Sequence, residues 1–229
     1  MTEITLTLNS ETLTANLADR FSLQYPEPVT INVVPAGANG NLDLSRAYTG
    51  GEPRYGTRQL SAACWIEGNT PYSISALHTA QSQVARWHGR RVALRLSSVP
   101  GYHLDAEVAF RNWTIDDAVN VADFNLDAIC QPFWIADTPT EIQIAPSTPS
   151  TAATLTNLGD VTVTLEYKST AAVTIVATQG SYPAAAAADW TRFSGLVLPP
   201  GNLAVNAIGS GTLKFRWRVL SLGGAPDVA

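Results

Sequence analysis

The sequence predicts a mainly β protein in two parts: an N-terminal β-sandwich or β-meander carrying one α-helix, then a C-terminal β-sandwich. Three observations carry this reading. Short runs of alternating apolar and polar residues recur through most of the 229 residues, the period of a strand with one buried face. Only one segment, 73–88, switches to helical spacing. Between Asp137 and Thr151, Pro, Ser and Thr crowd together and favour extended, hydrogen-bond-poor backbone. The boundary is therefore set there, giving regions 1–138 and 139–229.

Alternation begins in Ile4-Thr5-Leu6-Thr7-Leu8 and returns over 60–66. The helix places Ile74, Leu77, the aliphatic stem of Gln81, Val84 and Trp87 on one face. Thr70 is its candidate N-cap, Pro71 its first residue and Gly89 its stop, with Arg90 and Arg91 at the negative end of the helix dipole. Strands follow at 92–96, 102–115 and 121–130, separated by the turn Val99-Pro100-Gly101 and by Asp116-Asp117. The result reads as a meander with one helix laid across it.

Past the boundary, alternating runs at 153–156, 161–167, 172–177, 190–198, 203–207 and 212–220 are punctuated by Asn157-Leu158-Gly159-Asp160, Pro199-Pro200-Gly201-Asn202 and Gly209-Ser210-Gly211. Regular short strands with such turns predict a sandwich. The polyalanine run 184–188 is too short to nucleate a helix and reads as a loop or one turn. The string 208–212 reads as a hairpin turn.

Charge is sparse. Only 14% of residues are charged, with Lys only at 168 and 214, against about 25% in an ordinary soluble domain. Ser, Thr, Asn, Gln and Ala clothe the surface instead, which suits a protein that lies against copies of itself or partners, where charges are costly to desolvate. The 45% apolar content excludes wholesale disorder. With no apolar run of membrane length and no leader-like start at Met1-Thr2-Glu3-Ile4-Thr5, the expectation is a soluble protein made in a cytoplasm, without membrane insertion. The net charge of −5 argues against nucleic-acid binding. It divides unevenly: residues 1–138 hold 14 acidic and 9 basic residues, hence −5, and residues 139–229 hold five of each.

Catalytic constellations are missing. His78 and His88 lie about 15 Å apart along one helix and cannot share a metal, and His103 stands apart from both. Ser210 lacks the strand-to-helix elbow of a nucleophile. Asp116 and Asp117 fit turn chemistry, and Asp105 and Glu107 face one side of a strand with nothing opposite to form a cleft. No cofactor loop follows any strand. Cys64 and Cys130 cannot build a disulfide framework or a four-ligand zinc site and read as buried thiols. The chain is therefore expected to be no enzyme, with no cofactor and no metal. Carbohydrate binding asks only for exposed aromatics on a sandwich. Of Tyr167, Tyr182, Trp190 and Trp217, the last should point inward between Arg216 and Arg218, leaving Tyr182 and Trp190 as the candidate glycan contacts.

Several strings, taken in order, resemble one family. Val33-Val34-Pro35-Ala36-Gly37-Ala38-Asn39-Gly40-Asn41-Leu42-Asp43-Leu44-Ser45 is followed by Gly50-Gly51-Glu52-Pro53-Arg54-Tyr55-Gly56-Thr57-Arg58. Then come a strand ending in Gly68, a helix closing on Trp87-His88-Gly89-Arg90-Arg91, Pro100-Gly101-Tyr102-His103, and a last strand ending Cys130-Gln131-Pro132-Phe133. Over these residues, 33–133, the chain resembles the siphophage distal tail proteins, components of the tail tip and baseplate.

That resemblance implies a homo-hexameric ring built by the first region, with a long β-hairpin lapped onto the neighbour and a channel through which DNA passes without specific binding. It implies a galectin-like or carbohydrate-binding-module-like sandwich as the second region. The implied partners are the tail-tube protein, the tail-tip hub and receptor-binding proteins, in a virion tail tip concerned with host attachment. Leu42, Leu44 and Arg58 are the expected inter-subunit seam. Six copies at −5 would bring roughly 30 negative charges to the ring, suited to a channel along which DNA slides. The alternatives are a free-standing carbohydrate-binding β-sandwich protein and a tail-tube subunit.

Overall fold

The structure is a computed structural model and describes residues 2–18, 21–33, 42–43, 53–68 and 74–223. It is mainly β with a single helix among the described residues, as the alternation predicts. Contacts divide the chain into two compact units, Met1–Phe133 and Trp134–Ala229.

The first unit contains β1 (Glu3–Leu8), β2 (Glu11–Leu17), β3 (Ser22–Leu23), β4 (Asn32–Val33), β5 (Leu42–Asp43), β6 (Arg58–Glu67), α1 (Ile74–Trp87), β7 (Arg90–Leu96), β8 (Tyr102–Asp116) and β9 (Val121–Cys130). All its pairings are antiparallel, but only β7–β8–β9 is a meander. β1 pairs β2 and β7, β2 pairs β6, β6 pairs β9 along its whole length, and β9 pairs β8. The path β1–β2–β6–β9–β8–β7 thus returns to β1, and the sheet closes as a six-stranded barrel. Alternation fills its interior: Ile4, Leu6, Leu17, Leu60, Leu94, Leu104, Ala106 and Leu126 are all at most 1% exposed.

Two hairpin details follow from local chemistry. Asn9 and Ser10 both adopt positive φ between the paired ends Leu8 and Glu11, the two-residue turn whose twist matches its strands. In β8, Asn112 at φ 54° marks a register shift between Arg111 and Thr114. Beside this bulge Trp113 stacks on Phe124 at 4.8 Å.

The helix buries Leu77, Ala80, Val84 and Trp87. The expected face is corrected at two places: Ile74 is 41% exposed and Gln81 is exposed, Ala80 taking the inward position. The candidate caps Thr70 and Pro71 lie outside the described residues. Gly89 does stop the helix, at φ 71° with its N–H on the Val108 carbonyl, a conformation that costs a side-chain-bearing residue about 1 kcal/mol or more.

The second unit contains β10 (Trp134–Ala136), β11 (Thr140–Ile144), β12 (Thr151–Asn157), β13 (Val163–Ser169), β14 (Val173–Ala177), β15 (Gly180–Ala184), β16 (Ala187–Leu198), β17 (Gly201–Gly209), β18 (Leu213–Trp217) and β19 (Leu220–Ser221). Two four-stranded antiparallel sheets, β11-β18-β13-β16 and β12-β17-β14-β15, form the sandwich. Its core includes Leu155, Leu165, Ile175, Leu196 and Phe215, with Phe193 meeting Tyr167 and Phe215 at ring separations of 5.2 and 5.8 Å.

Several local expectations change here. The 208–212 string is not a hairpin turn, because β17 and β18 belong to different sheets and the string crosses between them. The polyalanine run ends β15 and begins β16, again between sheets. β15 carries Pro183, which an edge strand tolerates although the residue has no N–H. Gly159 is required by a close approach, since a Cβ there would lie 2.3 Å from the Leu220 carbonyl oxygen.

Candidate interaction surfaces

The first surface is a ribbon that leaves the barrel. Ser22 pairs with Ser61 and Leu23 with Leu60. The Gln24 N–H then reaches the Gln59 carbonyl, the Gly56 N–H the Glu27 carbonyl, Pro28 bridges Tyr55, and the Val29 N–H donates to the Arg54 carbonyl. Each of these pairs keeps the same register, so one antiparallel two-armed ribbon runs from residues 22 and 61 to residues 29 and 54. Beyond it β4 pairs β5, Asn32 opposite Asp43 and Val33 opposite Leu42. Leu42 is thus on the outer part of this hairpin, and Leu44 lies outside the described residues.

Arg58, the third residue expected at the seam, is enclosed by its own chain. It is 3% exposed, donates from Nε to the Pro132 carbonyl at 2.7 Å and holds its guanidinium 5.6 Å from the centre of the Tyr25 ring. Burial lowers its pKa, while Tyr25 and Cys130 act in the opposite direction. Its contacts tie the start of β6 to Tyr25 of the hairpin and to Pro132 after β9. Among the described residues of the hairpin, Tyr25, at 61%, and Val29, at 39%, are exposed apolar groups, and neither lies in an alternating run that would mark it in the sequence.

The second surface is the outward face of β6, β9 and β8. Register sets its rows: Glu67, Val121, Asp116; Trp65, Asp123, Thr114; Ala63, Asn125, Arg111; Ser61, Asp127, Ala109; Gln59, Ile129, Glu107. Five carboxylates against one guanidinium give −4. Asp127 accepts from the Ser61 hydroxyl and sits 3.3 Å from Arg111 Nε.

The third surface is the outward face of β11-β18-β13-β16. One row reads Glu141, Arg216, Glu166, Arg192, and the next Gln143, Lys214, Lys168. Four cations against two carboxylates give +2. Arg216 is ion-paired to Glu166 and lies over the Trp190 ring at 4.3 Å, with Lys168 Nζ at 5.3 Å from the same ring, favourable cation–π geometry. Trp190 therefore looks outward. Tyr182 turns the other way, its ring 6.3 Å from that of the buried Phe193, so the two candidate glycan contacts do not share a platform. Trp217, 4% exposed, points inward as expected.

Among the described residues no group of three His, Cys, Asp or Glu side chains could hold a metal. His78 is exposed on the helix, His88 accepts the Phe110 N–H at Nδ1, and His103 lies 3.9 Å from Asp105. Asp116 caps its own turn through the Ala118 N–H. Cys64 and Cys130 are free thiols inside the barrel, and burial pushes both up to about 12, which keeps them protonated and unreactive. No described helix is long and apolar enough to cross a membrane.

No protein-family model matches the chain, and no curated protein matches its sequence. Among solved structures it is similar to the SPP1 Dit (gp 19.1) protein, described as a paradigm of the hub adsorption apparatus in Gram-positive infecting phages. The TM-score is 0.53 at 13% identity, over 94% of this chain and 98% of that one. The likeness establishes the fold, over nearly the whole of both chains.

Proposed function

We propose that this chain is a structural, non-enzymatic distal tail protein of a siphophage, assembled as a hexameric ring at the virion tail tip. There it joins the tail tube to the hub and the receptor-binding apparatus. The observation that carries the reading is the fold shared with the SPP1 hub protein along nearly the whole of both chains.

The hairpin supports it. A ribbon projecting from a closed barrel makes a head-to-tail contact, the kind that generates a ring when its rotation closes, and it carries exposed Tyr25 and Val29. Leu42 and Leu44 are assigned to the seam, with Arg58 holding the stem. The acidic face of β6, β9 and β8 is assigned to the channel, where like charge keeps DNA from adhering.

Negative-stain class averages of the purified chain should show six-fold rings with a central hole, and Leu42→Asp with Leu44→Asp should elute as a smaller species in size-exclusion chromatography. A wild-type monomer would overturn the reading. Long stacked tubes would favour a tail-tube subunit instead.

A further inference from the structure

The third surface has a feature the ring does not use. All five basic residues beyond position 138 lie on β13, β16 and β18 or one residue past them. The only two lysines of the chain, Lys168 and Lys214, stand directly opposite each other in register. Like charges so placed repel across about 5 Å between Cβ atoms. No carboxylate pairs with either ammonium among the described residues, nor with Arg192. In a chain that otherwise avoids lysine, this cost is offset when an anion lies between the two.

A groove is present to receive one. Lys168 and Lys214 border a cavity of about 620 Å³ with Thr170, Thr212 and the small side chains of Ala186 and Ala188, a size within the range of ligand sites. Trp190 holds the Lys168 ammonium and the Arg216 guanidinium above its ring, keeping the cations grouped.

We infer that this face binds an acidic polypeptide segment of a partner protein, its carboxylates seated on Lys168, Lys214 and Arg192. An extended strand spaces carboxylates at i and i+2 by roughly 6.6–6.8 Å, a separation that two flexible lysine stems span. Protein is favoured over polysaccharide for two reasons. Sugar recognition needs an open aromatic face, and Trp190 lies beneath Arg216 while Tyr182 turns to Phe193. The neighbouring row alternates in sign, so Glu141 and Glu166 disfavour a polyanion charged on every unit, as a polyuronate is, more than a segment whose carboxylates fall on alternate residues. The inference does not depend on ring formation and can fail separately from it.

The test is isothermal titration of the full chain with an acetylated (Glu-Ser)4 peptide, a (Gln-Ser)4 peptide and a hexameric polyuronate. The acidic peptide should bind at 20 mM NaCl and weaken about tenfold or more by 200 mM, as screening requires. The neutral peptide should not bind. Lys168→Gln with Lys214→Gln should abolish binding while leaving the circular dichroism spectrum unchanged. Should that pair disturb folding, Lys214→Gln alone, a change at an exposed position, should still weaken binding about threefold or more. Absence of binding by the wild type, binding that survives the lysine substitutions, or tighter binding of the polyuronate than of the peptide would each overturn the inference.

Discussion

The two units treat sheet edges differently. In the first unit the six main strands pair in a closed cycle, and the hairpin leaves that barrel by pairing onto β6 through β3. In the second, two open sheets leave β11, β16, β12 and β15 as edges. The charged faces differ as well, −4 on the barrel wall and +2 on the sandwich. In a chain with so few charges, such sorting means that the low total hides two surfaces of opposite sign.

The largest test of this contrast separates the cores. Phe215→Ala should destabilise the sandwich by about 3–5 kcal/mol, and Leu126→Ala the barrel by about 2–5 kcal/mol, both side chains being essentially unexposed. Because both thiols lie in the barrel, thiol labelling during denaturant titration reads that unit alone. Its midpoint should fall in Leu126→Ala and stay put in Phe215→Ala. A shift in both would show the units unfolding as one.

A second test uses the thiols themselves. Burial raises both from an ordinary value of 9.0 to about 12, so the folded barrel holds protons that the unfolded chain releases. Their contribution is fully present below about pH 9 and is lost as pH rises toward 12, by up to about 1.4 kcal/mol per pH unit for each thiol. Cys64→Ala with Cys130→Ala should flatten the alkaline limb of the stability curve, and an unchanged slope would disprove the account.

The smallest expected effect is on the charge ladder. Glu166 is about half exposed, so Glu166→Gln should cost the sandwich no more than about 0.5 kcal/mol in chemical denaturation. A loss of several kcal/mol would mean the ladder supports the fold rather than dressing its face.

Much of the fold was legible in particular residues. The alternation of 121–130 marked β9 to the residue, Gly89 marked the end of the helix, and Trp217 was placed inward by its flanking arginines. Misreadings came where a local signal had two meanings. Gly209-Ser210-Gly211 is turn chemistry whether the next strand joins the same sheet or the other. Of the candidate site residues, Arg58 gave no sign of its burial, because it follows the Gly-rich stretch 50–56 and only the structure shows it opening β6 opposite Cys130. Trp190 was chosen for lying beside a loop, whereas its surroundings are set by Lys168 and Arg216, neighbours across the sheet.

What the sequence determined by itself is therefore one-dimensional: a period of two in the strands, one helical window, the turn residues, the scarcity of lysine and the uneven division of charge. These need only adjacent residues, since the direction of a side chain along a strand is local geometry. Tertiary structure alone decided that β7 returns to β1 and closes the barrel, that Arg58 turns inward onto Pro132, and that the two lysines, 46 positions apart in the chain, face each other. Those outcomes depend on which strand edges meet, a choice made among distant segments by burial of the whole core, and no short stretch of sequence carries it.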